Sequence, residues 1–290
     1  QAEKLASEAH KALVGKPERL EWLRAKRGLT RETAERFKLG WIERNVYADR
    51  AAWGLPAELR ADGKPKPLFI PAGLLIPGPD RLRIRRSEPG EFGRYYVVVE
   101  SGNAPLVIGA EHPVESTGAV IVESELDAML LHQEITVPVL IIATGSTSNG
   151  PDEAMVEDLT RRPFALIALD TDPAGGKAAW KRWMGIIPNA TRAPIPAAWG
   201  TDPTDAFLAG HDLREWFAAE LYLAGHHAPK AEPEIDHSGL APSFCRGSAC
   251  MDYQVFTVAN LPPDVICWQS KDGETWTPAR LNRMRRCPLA

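Results

Sequence analysis

Two apolar runs in this chain end on acids. Ala119-Val120-Ile121-Val122 leads into Glu123, and Phe164-Ala165-Leu166-Ile167-Ala168-Leu169 leads into Asp170, with Asp172 two positions on. Asp127 follows Glu123 by four residues, so a helix starting at once would put both carboxylates on one side of its first turn. Open parallel sheets bind ligands beyond the carboxyl ends of their strands, and if the two runs are strands of one such sheet the acids converge on one edge. That cluster repels itself unless a cation neutralises it, and all-oxygen donors suit Mg²⁺ or Mn²⁺ rather than zinc. A divalent ion held by carboxylates is equipment for moving phosphoryl groups. The competing readings are structural. Asp172, ahead of Pro173 and a Gly-rich turn, also suits a helix N-cap, and Asp127 taken alone suits a solvated helix face. Glu123 and Asp170 are harder to dismiss, because an acid ending a buried strand is costly unless something pairs with it.

The elements that would position these acids are legible between residues 117 and 225. After the first run comes a helical stretch over 126–132, then Val137-Pro138-Val139-Leu140-Ile141-Ile142-Ala143 and a Gly/Ser/Asn loop over 145–150. A helix over 152–161, the third run and a helix over 176–184 complete the pattern. Short continuous apolar runs alternating with helices are how a parallel sheet covered on both faces is written, so the fold class is α/β. The front of the chain, 1–115, reads as a mixed α+β subdomain. It has a helix over 17–27 broken at Gly28, Leu29 and Thr30, an N-cap at Thr30, and a second helix over 31–37. Leu74-Leu75-Ile76-Pro77 and Arg81-Leu82-Arg83-Ile84-Arg85 read as a hairpin turned by Gly78, Pro79 and Asp80. Residues 226–290 open Pro-rich, as a linker, and hold two short apolar runs, 255–258 and 265–268, that suit a small β piece of unassigned fold. The division is therefore 1–115, 116–225 and 226–290.

Lys plus Arg number 34 against 38 for Asp plus Glu, a net charge of −4, so no global basic field would hold nucleic acid and any contact must come from local patches. No apolar stretch reaches the roughly 18 residues of a membrane-spanning helix, and none is expected. The chain opens at Gln1 without a secretion-signal layout and reads as a fragment of something longer. Its four cysteines, Cys245, Cys250, Cys267 and Cys287, lie in the last region, and a cysteine-free main body fits the reducing cytoplasm.

On these residues the chain resembles the DnaG-type primases, particularly those of phage and mobile elements. Val120-Ile121-Val122-Glu123-Ser124-Glu125-Leu126-Asp127-Ala128 is similar to the first motif of the TOPRIM domain, and Ala168-Leu169-Asp170-Thr171-Asp172-Pro173-Ala174-Gly175-Gly176-Lys177-Ala178-Ala179 resembles its DxD motif. Trp22-Leu23-Arg24-Ala25-Lys26-Arg27-Gly28-Leu29-Thr30, with Phe37-Lys38-Leu39-Gly40-Trp41, resembles the opening of the primase RNA polymerase domain. Thr201-Asp202-Pro203-Thr204-Asp205-Ala206-Phe207-Leu208 resembles the acidic motif that follows the DxD strand. The resemblance implies a TOPRIM-type sheet and a polymerase that copies single-stranded DNA into short RNA primers from ribonucleoside triphosphates, with a replicative helicase as a further partner. It makes Glu123 a metal ligand or general base, gives Mg²⁺ or Mn²⁺ to Asp170 and Asp172, and has Asp127 and Asp202, with Asp205 less firmly placed, complete the acidic centre. Two positions depart from the pattern: Ser124 stands where the family has Gly, and Thr201 where it has Lys. The zinc-binding module that primases place at the N-terminus is not in this sequence, nor is a recognisable helicase region. The rival readings are a TOPRIM nuclease or strand cleaver, for which the five tyrosines offer no recognisable cleavage context, and a DNA-binding module of weak activity.

Alternate arginines on a strand share a face, so Arg81, Arg83 and Arg85 would form a phosphate-binding stripe, joined by Arg86 and Arg94; the other reading is a solvated strand face. Lys177, inside the second motif, is placed with them as a nucleotide contact. The 145–150 loop could cradle phosphate through its amides. Arg280, Arg283, Arg285 and Arg286 read as solvated tail charge, the cysteine spacing favours thiols over a zinc site, and Trp180, Trp183 and Trp216 are assigned to packing.

Overall fold

The structure is a computed structural model that describes residues 1–78, 81–89, 93–98, 104–146, 149–171 and 176–225, with backbone alone for 176–178, and the backbone of three strands between 253 and 276. The chain begins with helices α1 (Ala2–Val14), α2 (Pro17–Arg27) and α3 (Arg31–Arg36). Pro17 opens α2 where its missing N–H costs nothing, and Gly28 closes it in the left-handed conformation at φ 69°. A Cβ on Gly28 would stand 2.5 Å from the Phe207 ring, so the position is closed to larger residues on two counts. Thr30 caps α3 by accepting from the Thr33 N–H.

The strands β1 (Gly40–Ile42), β2 (Val46–Ala48), β3 (Leu68–Ile70), β4 (Gly73–Gly78), β5 (Arg81–Arg86) and β6 (Tyr95–Val97) follow. Four of them form an antiparallel sheet in the order β1-β4-β5-β6, and β2 pairs with β3. The expected hairpin is β4–β5, with Gly73 opposite Arg86 and Gly78 opposite Arg81. Pro79 and Asp80 of its turn lie outside the described residues.

The second sheet contains β7 (Leu106–Ile108), β8 (Ala119–Val122), β9 (Leu140–Ala143), β10 (Ala165–Ile167) and β11 (Ala190–Arg192), in the order β11-β10-β8-β9-β7. All its pairings are parallel except β7–β9. The parallel α/β architecture read from the sequence is borne out. One strand, β7, comes from before residue 116 and adds an antiparallel edge. Helices α4 (Glu125–Glu134), α5 (Glu153–Arg161), α6 (Gly176–Ile186), α7 (Pro203–Leu208) and α8 (Leu213–Leu223) cover the sheet.

Strand periodicity sorts the core. Val120, Val122, Ile141, Ala143, Leu166 and Ala168 face one layer, with Leu126, Met129 and Leu130 of α4 and Trp216 and Phe217 of α8. Ala119, Ile121, Leu140, Ile142, Ala165 and Ile167 face the other, with Leu159 of α5 and Trp180 and Trp183 of α6. The three tryptophans assigned to packing are all buried. Each fully buried large apolar side chain contributes about 1.5–3 kcal/mol, which is why both faces of the sheet must be covered. A separate core joins α1, β2 and β3 to Leu75, Leu82 and Ile84 of the front sheet. The strands β12 (Tyr253–Thr257), β13 (Ile266–Ser270) and β14 (Thr275–Trp276) form a small antiparallel sheet. Among the described residues no helix is long and apolar enough to cross a membrane.

Candidate active site at the carboxyl edge of the parallel sheet

β8 and β10 are parallel neighbours with Ile121 opposite Ile167, so both leave the sheet on the same edge. Glu123 is the first residue beyond β8 and Asp170 the third beyond β10, and both are half-buried. The ladder continues past the strand ends: Thr144 N–H donates to Val122 O at 3.0 Å and Gly145 N–H to Glu123 O at 2.8 Å. On the other side Thr171 N–H donates to Thr201 O at 3.2 Å, which brings the segment bearing Asp202 beside Asp170.

Asp127 is not a solvated helix residue. Ser124, the N-cap of α4, accepts from Asp127 N–H at 3.2 Å and donates its hydroxyl to Asp127 Oδ2 at 2.5 Å. Asp127 Oδ1 accepts from the N–H and the hydroxyl of Thr204. Burial pushes the Asp127 carboxyl above the ordinary range, while the hydrogen bonds from Ser124 and Thr204 and the charge of Arg27 oppose that. Asp202 caps α7 by accepting from Asp205 N–H at 2.7 Å. Burial first, then repulsion from Asp127, pushes its carboxyl up to about 7. Two of the expected acids therefore form a mutually repelling, protein-covered pair. Asp205 instead accepts from the N–H and hydroxyl of Thr201, a turn-forming role at the surface. Ser124, the departure from the family's glycine, has a concrete task in holding Asp127.

The arginines divide. Arg81 and Arg83 do not form the expected phosphate-binding stripe open to solvent; their side chains are 5 and 9% exposed and converge on Glu125, which is 1% exposed. Arg81 Nη2 donates to Glu125 Oε1 at 2.5 Å, and Arg83 Nη1 donates to Oε1 and Oε2 at 2.6 and 2.7 Å. Arg83 Nη2 donates to Gly145 O at 2.5 Å, and its guanidinium lies 4.2 Å from the Tyr95 ring centre. The shared strand face was legible; the carboxylate buried against it was not, because the front sheet packs that face on the parallel-sheet half. Arg85, half-buried, has its guanidinium held below the ordinary value by burial and by the nearby charge of Arg27. Arg94 is exposed and close enough to Arg85 to act on it electrostatically. Arg86 faces the other side of the sheet, over the Tyr96 ring at 5.2 Å. Arg27, which the sequence offered only as part of an opening motif, proves to be a site neighbour that acts on Asp127, Asp202, Arg85 and Tyr95 together.

Asp172, residues 147–148, the side chain of Lys177, the arginines at 280–286 and the cysteine side chains lie outside the described residues. Among the described residues no three of His, Cys, Asp and Glu approach closely enough to hold a metal ion. The side chains at the edge, Glu123 and Asp170, are carboxylates, a donor set that fits Mg²⁺ or Mn²⁺.

Residues 120–202 match the family described as Toprim-like. No curated protein matches the chain by sequence. Among solved structures it is similar to the RNA polymerase domain of Mycobacterium tuberculosis primase DnaG in complex with double-stranded DNA, with 18% identity, TM-score 0.54, and coverage of 77% of this chain and 78% of that one. A DNA primase domain from Pseudomonas aeruginosa gives 20% identity, TM-score 0.52, and coverage of 79 and 83%. A DnaG catalytic core gives 18%, TM-score 0.55, and coverage of 76 and 78%. Residues 120–202 are thus similar to the Toprim-like family, and the chain has a fold similar to that of solved DnaG-type primase cores.

Proposed function

We propose that this chain is the polymerase core of a DNA primase, which joins ribonucleotides on a single-stranded DNA template. The observation that carries the reading is the placement of Glu123 and Asp170 on one edge of the sheet, with the Asp127–Asp202 pair beside them. In the reaction the bond from a 3′-oxygen to the α-phosphorus forms, the bond from that phosphorus to the β-phosphate bridge breaks, and pyrophosphate leaves.

Asp170 and Asp172 would hold Mg²⁺ or Mn²⁺, with Glu123 as a further ligand or as the base that takes the 3′-hydroxyl proton. When bound, such an ion supplies a Lewis acid that activates the attacking oxygen and neutralises charge growing on pyrophosphate. Asp127 and Asp202 complete the acidic centre. Ser124 and Thr204 keep the Asp127 carboxylate in one orientation, which leaves it ordered as charge around it changes. Arg85, Arg94 and Arg27 supply positive charge for phosphate near the acidic pair, with Lys177 as a further contact, while Arg86 lies on the opposite face of the front sheet. The partners in this reading are template DNA, ribonucleoside triphosphates and a replicative helicase, and the setting is the cytoplasm.

The test is incorporation of labelled ribonucleotides on mixed single-stranded templates with Mg²⁺ or Mn²⁺, comparing the chain with its Asp170→Ala variant. Product from the former and none from the latter supports the reading. Cleavage of template without synthesis moves the assignment to a Toprim-type nuclease.

A further inference from the structure

The buried Arg81–Arg83–Glu125 cluster is a costly construction for mere adhesion. Three charges are withdrawn from water where apolar side chains of similar volume would join the two halves equally well, so a buried ion pair is weak evidence for a stabilising role. Its location is more informative. Glu125 stands two residues after Glu123. Arg83 grips its carboxylate with Nη1, and with Nη2 it donates to Gly145 O. The N–H of that same Gly145 donates to the carbonyl of Glu123 at 2.8 Å. The backbone of Glu123 is therefore held from both sides by one side chain of the front sheet: through Glu125 along the chain, and through the Gly145 residue across the ladder. Gly145 is what permits the approach, with φ at +73° and a position where a Cβ would lie 2.7 Å from Arg83 Nη1.

Resting on the reading of Glu123 as a metal-site acid, we propose that Arg83, with Glu125 and Arg81, is a positioning residue that sets Glu123 relative to the front subdomain and thereby its contribution to cation binding. Arg83 touches no reacting atom in this scheme. It fixes the peptide framework from which the Glu123 carboxylate projects, and it ties that framework to the strand bearing Arg85. Partners behind a metal ligand change affinity by about 10- to 100-fold when removed, which sets the scale of the expected effect.

The test uses the full chain and reads Mn²⁺ binding directly, by electron paramagnetic resonance of free Mn²⁺, alongside thermal unfolding. The triple variant Arg81→Met, Arg83→Met, Glu125→Leu removes the charges together and leaves none of the three buried alone. The expected result is cooperative unfolding near the wild-type temperature with Mn²⁺ affinity lowered about tenfold or more. A second variant, Gly145→Ala, keeps every charge and displaces the Arg83 guanidinium; it should lower Mn²⁺ affinity in the same direction. A folded triple variant with wild-type affinity overturns the proposal. If the triple variant does not fold, Gly145→Ala decides alone, and wild-type affinity there overturns it equally. A wild-type chain that binds no Mn²⁺ is a different failure: it removes the metal-site reading of Glu123, and the proposal with it.

Discussion

Thr204 donates both its backbone N–H, at 3.2 Å, and its hydroxyl, at 2.5 Å, to the same oxygen of Asp127, 77 positions earlier in the chain. The acid of α4 thus serves as a second cap for α7, in addition to Asp202. An acid proposed for the acidic centre is thereby locked between two helix starts, its other oxygen taken by Ser124.

Thr204→Val removes the hydroxyl and leaves a buried carboxylate oxygen short of a donor. The expected cost is about 1–3 kcal/mol, seen as a lower urea midpoint with an unchanged slope. Thr204→Ser, which keeps the donor, should recover most of it. Wild-type stability in Thr204→Val with a loss in Thr204→Ser would show that the methyl group matters and the hydrogen bond does not.

Asp202 gives a pH dependence with a defined sign. Its carboxyl is raised from an ordinary 3.8 to about 7 in the folded chain, so between those values the folded state holds a proton that the unfolded chain releases. Stability from this group is present at low pH, is lost as pH rises through about 7, and is flat beyond it. Asp202→Asn keeps the cap and cannot ionise. Without added metal, the stability of the variant relative to wild type should rise between pH 4.5 and 7.5 by roughly 2–4 kcal/mol. A pH-independent difference in chemical denaturation would refute it.

Glu125→Leu alone leaves the guanidiniums of Arg81 and Arg83 buried without their shared carboxylate. Destabilisation of about 3–5 kcal/mol is expected, largely recovered when both arginines are also replaced. Urea unfolding of the single and triple variants measures the difference, and additive losses would contradict it.

On the proposed reading of Asp170 as a metal ligand, Asp170→Ala should abolish nucleotide incorporation while the melting temperature of the metal-free chain stays near the wild-type value, because an acid kept at a strand end for a cation is not needed to hold the fold together. A sharp drop in melting temperature would assign Asp170 a structural role instead.

Arg94→Ala should weaken single-stranded DNA binding and reduce the slope of log affinity against log salt by about 0.7, the value of one phosphate contact. An unchanged slope would place Arg94 away from the template.

Much of the scaffold is local and was legible in the sequence. The ends of α2 follow from Pro17 and Gly28, the start of α3 from Thr30, and the parallel sheet from runs too apolar to have a wet face. Because ligand sites lie beyond the carboxyl ends of such strands, Glu123 and Asp170 could be brought to one edge from sequence alone. Strand period also set Arg81, Arg83 and Arg85 on a common face.

What that face meets was decided only in three dimensions. Period two fixes which side chains point together and says nothing about what packs against them. The Arg83–Glu125 pair joins residues 42 positions apart, and the Asp127–Thr204 pair residues 77 apart. The same holds for β7, which left the front of the chain to become an edge of the parallel sheet, and for Arg27, brought by α2 against the acidic pair. Burial turned Arg81 and Arg83 of the expected phosphate-binding stripe into an ion cluster, because charges withdrawn from water must find partners and Glu125 was the carboxylate that the tertiary packing brought to them.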